Sequence, residues 1–401
     1  MNSSLVRFAV VLGLLSAIGP FAIDMYLPAL PTIGADFGAG IGQVQMSLMV
    51  FFVALGAGQL VYGPFSDMFG RKLPLYIGLV LFMIGSVGCA LAPSIEWLIA
   101  FRFVQGLGAC AGTVVPRAVV RDLHTGPEAA KLMSLLMLVF SISPILAPLA
   151  GSGVIALGGW RAVFWVVLIA AALGLILLAL ALPETRPVAE RRQSSIAGAF
   201  AAYGLLLRDR RFLALCFLGA FGVSSFFVYL ANSSFVLIDH YGLTPTQYSI
   251  AFSVNAVSFF GVAQLNGVLG SRFGLMPLMR FAVVGYAVSM VLLVALFLAG
   301  FDQLSVMIVL LFIAYGFLGL VVPSSAVIAL DDHGAIAGTA SALMGTLQFG
   351  AGIVMMAVVG LFLDGTAVPM LAGIAACSVI ALALAYLTPQ RAPVLAGAPA
   401  E

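Results

Sequence analysis

Twelve stretches of mostly apolar residues follow one another along the chain, and each is close to the roughly 20 residues that a helix needs to cross a bilayer. Of the 401 residues, 63% are hydrophobic and 8% are charged, whereas a soluble domain carries about 25% charged residues. Because backbone amides in lipid must be bonded within their own segment, the sequence predicts an all-α integral membrane protein. The predicted spans are residues 6–27, 44–65, 74–92, 97–120, 132–156, 163–182, 212–232, 247–269, 275–299, 304–330, 336–363 and 368–387.

Lysine and arginine are distributed unevenly between the loops on the two sides of the predicted bundle. The basic side holds Arg71, Lys72, Arg117, Arg121, Lys131, Arg186, Arg191, Arg192, Arg208, Arg210, Arg211, Arg272 and Arg280, and the other side holds Asp36, Glu96, Asp239, Asp302 and Asp364 with Arg161 as its one clear basic residue. Loops rich in lysine and arginine stay in the cytoplasm. We therefore predict a multi-pass protein of the bacterial inner membrane with both termini cytoplasmic.

The longest hydrophilic stretch, which contains LPETRPVAERRQSS and LLRDRRF, divides the twelve spans into six and six. A weak internal repeat supports this division, since GPFSDMFG (63–70) aligns with GVLGSRFG (267–274) after the second span of each half. Repeated halves are typical of secondary transporters, whose substrate sites lie between the halves. The predicted domains are an N-terminal half (1–182), a cytoplasmic linker (183–211) and a C-terminal half (212–401).

The loop GPFSDMFGRK (63–72) resembles the loop signature of the major facilitator superfamily, although Met68 stands where a basic residue usually follows the aspartate. Glycines permit a tight turn between two helices, and a carboxylate here could face a helix N-terminus or Arg117. The resemblance implies a conformational latch that holds the outward-open state. Its predicted members are Gly63, Asp67, Gly70, Arg71, Lys72 and Arg117.

Four further segments resemble the bicyclomycin and chloramphenicol resistance branch of drug exporters. They are AIDMYLPALP around Asp24, RFVQGLGA from Arg102, SPILAPLAGSGV from Ser143 and GWRAVFW from Gly159. The resemblance covers the first six spans well and the second half mainly in length and topology. It implies the major facilitator fold, with two six-helix halves related by pseudo-twofold symmetry. It also implies a monomer without a cofactor that exchanges drugs for protons.

Asp24 is the one acidic residue placed well inside a predicted span, and a charged residue at membrane depth is costly enough to suggest a function. Arg102 enters the fourth predicted span from the same side at a similar depth. We predict a charge-assisted pair between the two side chains. The functional hypothesis is that Asp24 accepts a proton and thereby loosens its hold on Arg102 or on a bound cation. The alternative is a static ion pair that joins the first helix to the fourth.

The fifth predicted span contains Pro144 and Pro148, one turn apart, followed by Gly151. Each proline removes a backbone hydrogen bond and bends a helix, so this span is predicted to be kinked. In related exporters a similar element is associated with the direction of antiport, and the resemblance carries that role to these three residues. The alternative is a kink that serves packing alone.

A drug site is mostly apolar and aromatic, with a few polar groups that orient the ligand. Since we expect the cavity of the second half to be uncharged, we predict neutral or weakly cationic amphiphiles rather than phosphorylated substrates, which would require buried arginine or lysine. The predicted substrate-binding residues are Tyr26, Gln59, Gln105, Phe226, Tyr229, Asn232, Asn255 and Gln348.

An intramembrane enzyme is the alternative from another class, and the sequence disfavours it. HExxH, GxSxG and phosphate-loop motifs are absent from the sequence, and no segment resembles a nucleotide-binding domain. His124, His240 and His333 fall in predicted loops without metal-ligand spacing, and Cys89, Cys110, Cys216 and Cys377 fall in apolar segments as small core residues. We therefore predict no cofactor, metal or nucleic-acid partner. Export of an endogenous metabolite, such as a sugar or amino-acid derivative, remains the closer alternative to drug export.

Overall fold

The computed structural model describes residues 3–123, 126–191, 202–331, 333 and 336–388. Within these ranges the regular elements are helical, as predicted, while His124, Arg192 and the central part of the predicted linker lie outside the described residues. The helices are Ser3–Asp24, Leu30–Phe37, Ile41–Phe69, Lys72–Ala90, Ile95–Leu123, Gly126–Ala181, Val188–Arg191, Arg210–Ser234, Pro245–Ala263, Asn266–Phe273, Leu275–Leu298, Leu304–Asp331, Ala337–Gly360 and Val368–Leu387.

Ten helices of the described ranges are long and apolar enough to cross a membrane. One of them, Gly126–Ala181, contains two spans, because Gly159 has φ +71° and separates them. The pair Pro245–Ala263 and Asn266–Phe273, bent by 41°, supplies one more span. The described chain therefore contains the twelve predicted spans, which are called the first to the twelfth span below.

Consecutive spans run in opposite directions. Ser3 at the start of the first span and Leu387 at the end of the twelfth consequently lie on the same face of the bundle. We call this face the terminal face and the opposite one the distal face. The loop between the second and third spans, which carries the latch signature, lies on the terminal face.

The predicted ends of two spans are wrong at the distal face. The first span does not stop at residue 27: it breaks after Asp24, passes through a 3₁₀ turn at Leu27–Ala29 and continues as Leu30–Phe37. Pro28 and Pro31 lie at the first positions of these two elements, where proline is tolerated because the amide it lacks would be unbonded anyway. The seventh span continues beyond residue 232 through a π-helical turn to His240.

The fourth span occupies the centre of the N-terminal half, and its small residues explain how. A Cβ atom at Gly106 would lie 2.6 Å from the carbonyl oxygen of Phe51 in the second span, and one at Gly112 would lie 2.5 Å from that of Leu15 in the first. A Cβ atom at Gly108 would lie 2.7 Å from the Cα atom of Phe82 in the third. Three neighbouring backbones thus approach the fourth span where side chains are missing.

Candidate functional site

Asp24 is the last residue of the helix Ser3–Asp24, and only 4% of its surface is exposed. Its Oδ2 accepts a hydrogen bond of 3.0 Å from the hydroxyl of Ser143, which is fully buried in the fifth span. The helix breaks directly after Asp24, and the 3₁₀ turn follows. The carboxyl group lies inside the bundle rather than near the distal end. The proposed proton site is therefore joined directly to the span that carries the two prolines.

Arg102 is fully buried in the fourth span, but the ion pair predicted between it and Asp24 is absent among the described residues. Its Nη1 donates instead to the carbonyl oxygen of Ala22, at 3.3 Å, and to Oε1 of Gln105, at 2.7 Å. The prediction failed because the first span continues to Phe37, so Asp24 lies deeper in the bundle than expected. Nε and Nη2 of Arg102 have no hydrogen-bond partner among the described residues.

Aromatic rings take the place of the missing counter-ion around Arg102. The guanidinium carbon lies 4.3 Å from the ring centroid of Phe51 and 4.5 Å from that of Tyr26. Contact with ring faces stabilises a cation by about 0.5–2 kcal/mol, increasing as water is excluded. The hydroxyl of Tyr26 lies 2.7 Å from the hydroxyl of Ser47. In this arrangement Tyr26, which we predicted to contact substrate, encloses Arg102.

Gln105 extends the polar contacts of Arg102 into the third span. Its Oε1 accepts from Arg102, and its Nε2 donates to the hydroxyl of Ser86 at 2.8 Å. The buried amide therefore has partners within the N-terminal half. Its predicted contact with substrate remains a prediction.

The fifth span contacts both Asp24 and the other half of the molecule. Ser143 comes directly before Pro144, and Gly151 lies against the break of the first span, where an added Cβ atom would be 2.8 Å from the Cα atom of Met25. On another side, the carbonyl oxygen of Pro148 accepts from Ser249 at 2.9 Å. A movement of the fifth span would therefore change both its contact with Asp24 and the interface between the halves.

The two halves are hydrogen-bonded to each other in the distal part of the bundle. Nε2 of Gln45 donates to Oδ1 of Asn232 at 2.8 Å and to the carbonyl oxygen of Ala231 at 3.1 Å. Ser253 reaches the carbonyl oxygen of Ile145 at 2.7 Å. These contacts close the distal face in this structure. Asn232, predicted to bind substrate, is bonded across the interface in this state.

The other predicted substrate residues of the second half divide into two groups. Tyr229 and Asn255 are buried and bonded to each other, Nδ2 of Asn255 lying 3.0 Å from the hydroxyl of Tyr229, and Phe226 packs beside them. Gln348 is half-buried in the eleventh span. Gln59, from the second span, lies against Gly345 of the same eleventh span. These two glutamines thus lie on helices that meet between the halves.

A cluster of charged groups surrounds Arg71 on the terminal face. Its Nη1 donates to Asp67 at 2.7 Å, and its Nε and Nη2 bond both carboxylate oxygens of Asp122, at 2.7 and 3.1 Å. Burial alone would lower the pKa of Arg71, but the two carboxylates raise it above its usual value. Arg186 joins the cluster through a bond of 3.0 Å from its Nε to the carbonyl oxygen of Asp67. The cluster thus connects the second, third and fourth spans to the segment after the sixth.

Glu184 completes this cluster by capping the third span. Its two carboxylate oxygens accept from the backbone amides of Arg71, at 2.8 Å, and Lys72, at 3.2 Å. A helix N-terminus favours such an anion because its amides are otherwise unbonded. Partial burial raises the pKa of the Glu184 carboxyl, but these amides and the nearby Arg191 outweigh it and hold the pKa below its usual value.

Two residues of the predicted latch have other surroundings than expected. Gly63 lies inside the helix Ile41–Phe69 and makes no turn, because the helix continues to Phe69 and turns only at Gly70, with φ +91°. Gly274 has φ +83° at the equivalent point of the second half, as the internal repeat predicts. Arg117 does not contact Asp67: its guanidinium carbon lies 5.4 Å from the ring centroid of Phe140.

Comparison with known proteins decides the family. The sequence profile of the Major Facilitator Superfamily matches residues 12–356. The chain belongs to this superfamily. It is 37% identical over 386 residues, 96% of each chain, to an uncharacterized MFS-type transporter of Bacillus subtilis (strain 168). It is 31% identical over 392 residues, again 96% of each chain, to the bicyclomycin resistance protein homolog of Haemophilus influenzae.

The fold agrees with this assignment. The crystal structure of a D-xylose-proton symporter superposes with a TM-score of 0.73, covering 96% of each chain at 18% identity, which shows likeness of fold alone. The predicted superfamily, its resemblance to the resistance branch and the fold class are thereby confirmed. This major facilitator protein is a multi-pass membrane transporter and not an enzyme.

The signature loop of this superfamily member allows a matched test at its two glycines. Gly70→Ala is expected to destabilise the cluster, because a Cβ atom there would lie 2.5 Å from Oε2 of Glu184 and because such a backbone conformation costs a non-glycine residue about 1–3 kcal/mol. Gly63→Ala is the control, since nothing lies within 4 Å of its added Cβ atom. Thermal unfolding of the purified transporter should show a lower Tm for Gly70→Ala alone. Equal Tm values would contradict the geometry described for Glu184.

Several residues of the site were not singled out in the sequence of this transporter. Ser143, Gln45, Asp122 and Glu184 belong to this group. Asp122 and Glu184 had a signal, because they are acidic residues within otherwise basic loops and therefore need cationic partners. Ser143 and Gln45 had no such signal, because the partner of a single serine or glutamine in an apolar span depends on the helix that it packs against.

Proposed function

We propose that this transporter is a drug:proton antiporter that exports amphiphilic antibiotics, such as chloramphenicol-like or bicyclomycin-like compounds, from the cytoplasm. The observation that carries the proposal is the buried carboxyl group of Asp24, bonded to Ser143 on the proline-bearing span and without a cationic partner in the described chain. An ionised carboxylate is costly at such a position. Proton binding therefore changes the free energy of the site by a large amount.

Proton binding would act on the contact between the first and fifth spans. In this structure Ser143 donates to Oδ2 of Asp24. A carboxylate only accepts hydrogen bonds, whereas a protonated carboxyl group also has an O–H that donates. Protonation would therefore weaken or replace the hydrogen bond that Ser143 donates to Asp24. The fifth span, which carries the two prolines and also contacts Ser249 of the second half, would then repack and open one face of the bundle. Drug and proton would bind in alternation, each favouring a different state.

Arg102 would set the electrostatic environment of this exchange. Two of its nitrogen atoms, Nε and Nη2, have no hydrogen-bond partner in the described part of the chain, so Arg102 offers positive charge and donors inside the N-terminal half. We place it with Asp24 as a proton-coupling residue that responds to the carboxyl group through the Ala22 carbonyl. Pro144, Pro148 and Gly151 are the kink, and the cluster around Arg71 is the latch. The terminal face would be the cytoplasmic one, in keeping with the basic loops.

A test of this function is proton release from everted vesicles after addition of chloramphenicol, together with a growth panel of unrelated inhibitors. We expect drug-evoked proton movement and resistance to several compounds, both absent from vesicles and cells without the protein. Resistance to none of them, with a growth phenotype linked to a single metabolite, would instead identify an exporter of an endogenous compound.

A further inference from the structure

Three aromatic rings and one amide side chain pack together where the seventh, eighth and tenth spans meet. The rings of Tyr229 and Phe252 are stacked, with centroids 5.3 Å apart and planes 11° apart, and Tyr315 lies 5.5 Å from Tyr229. Asn255 donates to the hydroxyl of Tyr229 at 3.0 Å. We call Tyr229, Phe252, Asn255 and Tyr315 the tyrosine group.

Two polar atoms of the tyrosine group have no hydrogen-bond partner in the described chain. They are Oδ1 of Asn255 and the hydroxyl oxygen of Tyr315, and both residues are at most 1% exposed. Buried polar groups are nearly always bonded, since an unbonded one is strongly destabilising. A pair of such atoms in one aromatic group, in a transporter, points to a ligand that bonds them during the transport cycle.

The surroundings of the tyrosine group define what that ligand must carry. None of its four side chains is charged, so a cation gains no ion pair there. Oδ1 of Asn255 accepts a hydrogen bond and requires a donor, while the hydroxyl of Tyr315 can donate or accept. The face of an aromatic ring favours a second flat ring beside it. Phe226 is half-buried and packs against Phe252 and edge-on against Tyr315.

We propose that Asn255 and Tyr315 form a hydrogen-bonding subsite for uncharged amphiphiles that carry a hydroxyl or amide N–H donor beside an aromatic ring. The inference rests on the proposed function, since it names the substrate class of the same transporter. Phe226 moves aside when the ligand enters, and Tyr229 and Phe252 form the wall on which the ring of the ligand packs. Compounds without a donor do not use the two atoms.

The test compares two transported compounds in three variants. Chloramphenicol carries two hydroxyls, an amide N–H and an aromatic ring, whereas tetraphenylphosphonium is an aromatic cation without a donor. We expect Asn255→Leu and Tyr315→Phe each to raise the KM for chloramphenicol about tenfold, which corresponds to about 1.4 kcal/mol. The KM for tetraphenylphosphonium should be unchanged in both variants. Tyr386→Phe, which removes a hydroxyl from a side chain that is 61% exposed, is the matched control and should change neither.

The outcomes separate this inference from the function on which it rests. Equal changes in KM for both compounds would show that the two atoms serve the packing of the half or bind water, and unchanged KM values would show that they do not touch substrate. Either result overturns the inference while antiport stands. If the unaltered protein transports neither compound, the proposed drug export fails and the subsite fails with it.

Discussion

Asp24→Asn is expected to abolish drug-evoked proton movement, lowering its rate by at least about 100-fold, the lower range for loss of a positioned proton-transfer group. Asparagine has nearly the same shape as aspartate, and its oxygen can still accept the hydrogen bond from Ser143. It cannot, however, take up a proton at neutral pH. The amount of protein in the membrane should therefore be unchanged, because the packing of the first span against the fifth is preserved.

The measurement is proton release in everted vesicles that contain equal amounts of each variant. Asp36→Asn is the matched control: Asp36 lies near the distal end of the same span, half-exposed and bonded to Arg161 and Trp160, and we expect near-normal coupling after its replacement. Drug-evoked proton release that persists in Asp24→Asn would place the proton site on another residue. Loss of coupling in both variants would mean that the effect is not specific to Asp24.

Gly151→Ala is expected to impair both stability and transport, because the added methyl group has no room. Its Cβ atom would lie 2.8 Å from the Cα atom of Met25, directly after the proposed proton site. Backbone cannot move aside as a flexible side chain can, so the first and fifth spans must separate. Overpacking of this kind typically costs about 1–3 kcal/mol. The hydrogen bond between Ser143 and Asp24 crosses the same contact and should lengthen with it.

Gly153→Ala provides the control for this substitution two residues further along the same span. Nothing lies within 4 Å of a Cβ atom at Gly153, so the Tm and the transport rate should be unaffected. The Tm of both purified variants and their drug-evoked proton release are the quantities to compare. A Gly151→Ala protein that unfolds and transports like Gly153→Ala would contradict the close approach of Met25.

The fold could be predicted from the sequence because the length of an apolar stretch and the hydrogen-bonding needs of a lipid-buried backbone leave few alternatives. The ends of spans could not be predicted as well. Pro28 and Pro31 suggested a helix end, but the chain uses them at the starts of two short elements, where proline costs little. The depth assigned to Asp24 was wrong for that reason, and the predicted contact with Arg102 was wrong with it.

Side-chain partners were the least predictable part of the site. Asp24 and Arg102 could be singled out because charge is rare and costly inside a membrane. Yet the partner of Asp24 is a serine, and those of Arg102 are a backbone carbonyl and the amide of Gln105. Arg71 was recognised from a local motif. Its strongest partner, Asp122, lies two spans further along the chain, and such a contact depends on how helices pack rather than on any local pattern.

Three hydroxyl groups of the C-terminal half donate to backbone oxygens of the N-terminal half. Ser249, Ser253 and Thr346 reach carbonyls of the fifth and second spans in this way. Every residue has a backbone carbonyl, so replacing a side chain in the N-terminal half does not remove these three acceptors. Only the donors can be lost by mutation. Apart from Gln45, which is itself a donor to Asn232 and Ala231, side chains of the N-terminal half can therefore be replaced without loss of these bonds between the halves.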